Sequence, residues 1–219
     1  MAIEILWASG SPYSWRVLLA AEIKAVPYAS RLLQFSKSEH KSPEFLALNP
    51  RGKVPILKDG DVAVYESLAI LDYLEQRFPD PPLFGRTPAM RARIWTTIFE
   101  IENYFIPAGN PIVQQLYRRQ TDLSGLGREI EAVHRELNAV ETRLEDETWL
   151  VGETISAADI VLLPLVQTFR RASKKAPEGA AAFGVEPLSE KYPNIASWVA
   201  QIEALPVYPR TYPPHWRDS

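Results

Sequence analysis

The chain contains no cysteine, and that absence removes several chemistries at once. No disulfide can staple the fold, and no thiol–disulfide exchange can pass through a side chain of the protein itself. If sulfur chemistry takes place here, the ligand brings the sulfur. A cysteine-free chain fits a reducing, cytoplasmic compartment. A strong charge of one sign is missing too. With 24 Lys and Arg against 27 Asp and Glu the net charge is −3, and a pI near 5.7 argues against a nucleic-acid surface. No apolar run approaches the roughly 18 residues that a membrane helix needs. The start, Met1-Ala2-Ile3-Glu4-Ile5-Leu6, has no basic opening and no small-residue cleavage site, so no secretory signal is expected. There is no internal repeat.

What is present is enough apolar material, 46% of 219 residues, to bury a core in one large domain or two small ones. Ile3 to Ala8 reads as a buried strand and Ser9-Gly10 as a turn. Ser11 followed by Pro12 is a helix start, N-cap then first helical position, with Val17, Leu18, Leu19, Ala20, Ala21 and Ile23 on the apolar side. Arg31 to Phe35 reads as a second strand. Ser42-Pro43 opens a brief helix that ends at Asn49-Pro50. Two apolar runs, Ile56-Leu57 and Val62-Ala63-Val64, flank Lys58-Asp59-Gly60-Asp61, and Asp-Gly in such a setting signals a hairpin. A helix from Ser67 to about Arg77 follows. The order βαβα–ββα is that of a thioredoxin-like α/β domain, its sheet covered by helices on both faces.

Phe78 to Gly85 is rich in proline and breaks the pattern. The expected division is a first domain over 1–80, a linker over 81–87 and an all-α helical-bundle domain over 88–219. Thr87-Pro88 starts a long helix with Ile94, Trp95, Ile98, Ile101, Tyr104 and Phe105 at helical spacing, which Pro107 and Pro111 should kink or end. A second long helix covers about 124–147, with acid–base pairs on its solvent face. Ser156 and Asp159 form a capping box in which Asp replaces the usual Glu. The helix that follows has few charges before Arg170, which marks it as the buried spine of the domain. Asp159 therefore reads as structural. Residues 173–188 read as a loop, a last helix runs from Tyr192-Pro193 to Leu205, and the tail carries Trp216.

The most informative stretch is Asn49-Pro50-Arg51-Gly52-Lys53-Val54-Pro55-Ile56-Leu57, followed by Tyr65-Glu66-Ser67-Leu68-Ala69-Ile70-Leu71. A Pro at the mouth of a strand is permitted only where no ladder needs its N–H. It pushes Val54 into an extended conformation and leaves the Val54 N–H and C=O for an extended partner. Beside that edge stand a carboxylate, Glu66, and a helix N-terminus at Ser67. Such a place suits a small peptide-like ligand with an amine, a carboxylate and an extended middle.

These motifs resemble the glutathione-binding core of the glutathione S-transferase family, and the resemblance covers most of the chain. It implies a homodimeric cytosolic enzyme of the serine type, theta- or zeta-like, with glutathione as co-substrate and no metal. Its partners would be glutathione and a small hydrophobic electrophile, with no nucleic acid or membrane. It also implies a cis Val54–Pro55 peptide, with the Val54 backbone pairing with the cysteinyl unit of glutathione. Glu66 and Ser67 would hold the γ-glutamyl end. His40 and Lys53 would neutralise the glycyl carboxylate, Lys as a point charge. Each residue has a plainer role beside this one: His40 and Lys53 as solvated loop charges, Glu66-Ser67 as a helix cap with a favourable acid.

By the same resemblance Ser11 stabilises the glutathione thiolate, with Ser14, one turn on, as the second choice. Ser11 also reads as a simple N-cap, and the two roles are compatible. Tyr13, Tyr104 and Phe105 are expected to line the electrophile pocket between the domains, with Tyr117 and Trp216 as lid residues. Core or surface packing is the alternative for each. Glutathione-dependent isomerisation, as in the zeta class, is a second activity. Ser14-Trp15-Arg16 favours it, and Tyr13, where that class has Cys, counts against it. Peroxide reduction or dehalogenation through the same thiolate is a near neighbour. A non-catalytic glutathione-binding module is the third reading.

Overall fold

Four short strands form one mixed sheet in the computed structural model, which describes residues 3–217. They are β1 (Ile3–Trp7), β2 (Tyr28–Leu32), β3 (Ile56–Asp59) and β4 (Val62–Tyr65), in the order β2-β1-β3-β4. β1 and β2 are parallel, as they must be when α1 (Pro12–Ile23) crosses between them. β3 and β4 follow antiparallel, closed by the Asp-Gly turn. Because the side-chain period of a strand is two, the paired residues sort by face. Leu6 opposite Ile56 packs with Leu33 and with Phe45 of α2 (Pro43–Leu48). Ile5 opposite Leu57 points the other way, and both are fully buried. On that side α3 (Ser67–Arg77) packs against α1 and the sheet.

β2 lies three residues earlier than the sequence suggested, at Tyr28–Leu32 instead of Arg31–Phe35. It is an edge strand whose residues are mostly exposed, so it carries no apolar alternation to read. The apolar Leu33 and Phe35 that drew attention lie just past it, in the turns leading to His40.

The chain divides into two compact units, Met1–Leu83 together with Pro206–Ser219, and Phe84–Leu205. The tail was expected with the helices, but α11 (Tyr208–Thr211) packs on α1. Trp15 of α1 is the reason. Its indole N–H donates to Thr211 Oγ1 at 3.1 Å, and its ring meets Tyr208, Tyr212 and Trp216 at centroid distances of 5.9, 5.6 and 5.5 Å. The first unit is also clipped at its other end. Buried Lys24 pairs with Glu75 at 2.6 Å and donates to the carbonyls of Phe78 and Pro81, both at 2.7 Å, while Glu75 accepts from the Leu83 N–H.

The second unit is helical: α4 (Pro88–Glu100), α5 (Ile106–Tyr117), α6 (Gly127–Asp146), α7 (Ala157–Lys175), α8 (Pro177–Phe183), α9 (Leu188–Lys191) and α10 (Pro193–Glu203). Pro107 does not end the first long helix. Ile101–Phe105 forms a π-helical turn, in which the Ile106 N–H reaches back to the Ile101 carbonyl. A turn widened by one residue absorbs the missing proline N–H, and α5 continues through Pro111.

The stretch 173–188 is not a loop. α7 runs on to Lys175, and α8 buries Ala180 and Phe183, with Pro177 at its start and Gly184 in the left-handed conformation just past its end. Phe183 packs edge-on against Phe169 at 5.3 Å. His134 ties these pieces together. Its Nε2 meets the Phe183 carbonyl at 2.7 Å and its Nδ1 the Tyr192 hydroxyl at 2.5 Å. Asp159 is fully buried, and its carboxylate accepts from the Leu150 N–H, the Ser156 N–H and hydroxyl, and the Trp198 indole N–H, all within 2.9 Å. It is a structural hub.

Candidate functional site

The site grows out of the turn that leaves β1. Gly10 has φ +80°, and Ser11 then turns into α1 with φ −77° and ψ 117°. The Ser11 Oγ accepts from the Ser14 N–H at 3.2 Å. A capping bond uses an oxygen lone pair, so the Ser11 proton stays available to donate. Ser11 is half-buried, whereas Ser14 is fully buried, with its oxygen 3.4 Å from the Ala8 N–H. Of the two serines, Ser11 has the open face.

Five residues after Ser11, Arg16 turns inward. It is 4% exposed, lies over the Tyr13 ring at 4.9 Å, and donates from Nε to the Ser67 Oγ at 2.8 Å with Nη2 close by. This bond joins α1 to the first residue of α3. Sequence reasoning met Arg16 only within the run Ser14-Trp15-Arg16 and gave it no role of its own. The available signal was a single guanidinium inside an otherwise apolar helical run. Ser67 is 4% exposed, and because Arg16 donates to its oxygen, its own proton stays available to donate, as do the free N–H groups of the α3 N-terminus. Glu66, exposed just before it, has φ 68° and ψ 111°. A non-glycine residue in that region is held there at a cost of about 1–3 kcal/mol, and such strain concentrates at ligand sites. Its carboxylate lies 3.8 Å from Arg51 Nε, with both side chains exposed.

The Val54–Pro55 peptide is cis. Neither the N–H nor the C=O of Val54 takes a backbone partner among the described residues. The preceding loop is held by Asn49, 2% exposed, which donates to the Lys53 carbonyl at 2.7 Å and accepts from the Arg51 N–H at 3.1 Å. Asn49 is a second residue whose role only the structure exposes.

Gly52, with φ +60°, lies so close to the 39–41 turn that a Cβ there would come within 2.6 Å of Lys41 Nζ and 3.0 Å of the His40 carbonyl. The turn bearing His40 and Lys41 thus meets the loop bearing Lys53. Lys41 joins the cations that the sequence had singled out. His40 lies tilted against Phe35 at 4.2 Å, and its Nδ1 is buried with no hydrogen-bond partner among the described residues. Lys53 is exposed.

The expected pocket aromatics belong to two different units. Tyr13 is half-buried beside Arg16, and Trp216 is 5% exposed against Trp15, both in the first unit. In the helical unit Tyr104 is 60% exposed on the π-turn, and Tyr117 is 39% exposed, its hydroxyl pKa raised by burial against the opposing charge of Arg171. Phe105 is 2% exposed, edge-on to Phe169 at 5.2 Å, and behaves as a core ring of that unit. Trp216, packed beneath Trp15, is a core ring as well. Among the described residues no three His, Asp or Glu side chains gather as a metal site, and no helix is long and apolar enough to cross a membrane.

Residues 10–77 match the family described as Glutathione S-transferase, N-terminal domain, and residues 112–206 match Glutathione S-transferase, C-terminal domain. Glutathione S-transferase A of Pleuronectes platessa is 30% identical, over 99% of this chain and 94% of its own. A maleylacetoacetate isomerase of Pseudomonas aeruginosa is 29% identical, over 95% of each chain. Among solved structures, a glutathione S-transferase from the Antarctic clam Laternula elliptica superposes with a TM-score of 0.86 at 34% identity, covering 100% of this chain and 95% of that one.

Proposed function

The chain belongs to the glutathione S-transferase family, and from that premise we propose that it activates the glutathione thiol through the hydroxyl of Ser11. Glutathione is the co-substrate, and the enzyme is a glutathione transferase. One observation carries the serine assignment: the Ser11 oxygen accepts the Ser14 N–H at the start of α1, which leaves the hydroxyl proton to donate to a thiolate.

The magnitudes suffice. A free thiol has a pKa of about 8.5, so only a few per cent is ionised at neutral pH. A hydrogen bond to a charged acceptor contributes about 1.5–3 kcal/mol and a helix N-terminus roughly 0.3–1. At about 1.4 kcal/mol per pKa unit, these lower the thiol pKa by one to three units. No general base is needed. The backbone of Val54 receives the cysteinyl unit, Ser67 and Glu66 the γ-glutamyl end, and His40, Lys41 and Lys53 the glycyl carboxylate. The thiolate then attacks a small hydrophobic electrophile, with Tyr13 as its lining residue in the first unit. The enzyme works as a homodimer in the cytoplasm. Gel filtration at the monomer mass would remove the dimer.

The test is the ultraviolet thiolate absorbance of bound glutathione against pH, for the wild type and Ser11→Ala. A depressed thiol pKa that the variant loses while still binding glutathione supports the serine. Intact binding with unchanged titration in the variant overturns it.

Isomerisation is the second reading. It is favoured by the relative named maleylacetoacetate isomerase and by Ser14-Trp15-Arg16. Against it, Tyr13 stands where the zeta pattern has Cys, and Arg16 is already committed to Ser67. Product analysis with a maleylacetoacetate-type substrate separates the two.

A further inference from the structure

The tail lies on the turn that delivers Ser11. Ser9 Oγ and His215 Nδ1 are 2.6 Å apart. Between Ser9 and Ser11, Gly10 presents a bare α-carbon at φ +80°, and a Cβ added there would lie 2.7 Å from His215 Cε1 and 3.2 Å from Trp216 Nε1. Two independent contacts, one polar and one steric, thus fasten residues 215 and 216 to the two residues that precede Ser11. The direction of the Ser11 hydroxyl is set by the backbone entering α1, so whatever fixes this turn fixes the donor.

We propose that His215 is a positioning residue, which holds the Ser9-Gly10 turn so that the Ser11 hydroxyl points at the thiolate. This rests on Ser11 being the activating group. His215 acts through Ser9 and touches no reacting atom. The tail does not depend on it for attachment. Thr211 bonds the Trp15 indole at 3.1 Å, Arg210 pairs with Glu22 at 3.2 Å, and Trp216 packs on Trp15. The histidine can therefore be changed while the tail stays docked.

A hydrogen-bond donor misaligned by a loosened turn loses part of its effect. Losing half a pKa unit of thiol depression leaves about threefold less thiolate at a pH below the pKa. The experiment measures thiolate absorbance of bound glutathione against pH, and glutathione affinity by calorimetry. It uses the full chain and the variants His215→Ala, His215→Asn, Ser9→Ala and Ser11→Ala, with His215→Ala also placed on the Ser11→Ala background.

The expected result is about threefold less thiolate in His215→Ala and in Ser9→Ala, with affinity within about twofold of the wild type. His215→Asn, whose amide can still meet Ser9, should recover most of the thiolate. No further loss should appear when His215→Ala is added to Ser11→Ala, because residues that act as a chain do not add. A wild-type titration in His215→Ala, with Ser11→Ala clearly shifted, overturns the positioning role alone. An additive loss in the double variant overturns it too, because His215 would then act by another route. A wild-type titration in Ser11→Ala overturns the serine reading itself, and the positioning role falls with it.

Discussion

Replacing Ser67 by Ala tests the link between the buried arginine and the ligand end of α3. Two separable losses are expected. Arg16 is 4% exposed and directs Nε and Nη2 at the Ser67 oxygen. With that acceptor gone, part of a buried cation's hydrogen bonding goes unmet, at a cost of about 1–3 kcal/mol. The midpoint of urea unfolding should fall accordingly, with the slope unchanged. The second loss concerns the ligand. A hydroxyl donating to a carboxylate contributes about 1.5–3 kcal/mol, which is roughly 10- to 150-fold in dissociation constant. Calorimetric titration with glutathione reads this directly. Thiol titration in the bound state should stay as in the wild type, since Ser67 has no part in activation. Unchanged affinity would refute the ligand role of Ser67. Unchanged stability would refute the weight given to the Arg16–Ser67 bond.

Three further outcomes follow from other parts of the fold. Lys24→Met should destabilise by about 3–5 kcal/mol in urea unfolding, because it strands the buried Glu75 carboxylate and the Phe78 and Pro81 carbonyls; a change below about 1 kcal/mol would contradict this. Asp159→Ala removes the acceptor for four donors in the helical unit, so a loss on the order of 3 kcal/mol or more is expected, seen as a lower thermal midpoint. His134 supplies a pH dependence. Burial, with the Lys191 charge beside it, lowers its pKa below the ordinary 6.5. The folded state thus favours the neutral ring that bridges Tyr192 and the Phe183 carbonyl. Its contribution is complete above 6.5 and is lost as pH falls through the lowered folded value. The difference in melting temperature between wild type and His134→Gln should shrink in acid, and a difference constant with pH would be the contrary result.

Much of the chain was legible locally. Ser11-Pro12, Ser42-Pro43 and Thr87-Pro88 each cap a helix as written, with the side chain accepting the N–H three residues on. The helix Ser67–Arg77 has the expected bounds. Such features are decided within four residues, so the sequence carries them. β2 and α8 were misread for opposite reasons. The edge strand has no buried face to impose alternation, and α8 is an Ala-Gly-Glu segment whose helicity depends on burying Ala180 and Phe183 against α7.

Local sequence was enough for the Val54-Pro55 and Glu66-Ser67 motif, the helix caps and the order βαβαββα followed by helices. Those rest on local backbone preference and on residues adjacent in the chain. Packing alone brought Arg16 to Ser67, made Phe105 a core ring and returned the tail to Trp15. Each of these joins residues far apart in sequence or depends on which side of a helix faces the core. Such choices are made by packing and by the need of buried polar groups for partners, and no local pattern records them.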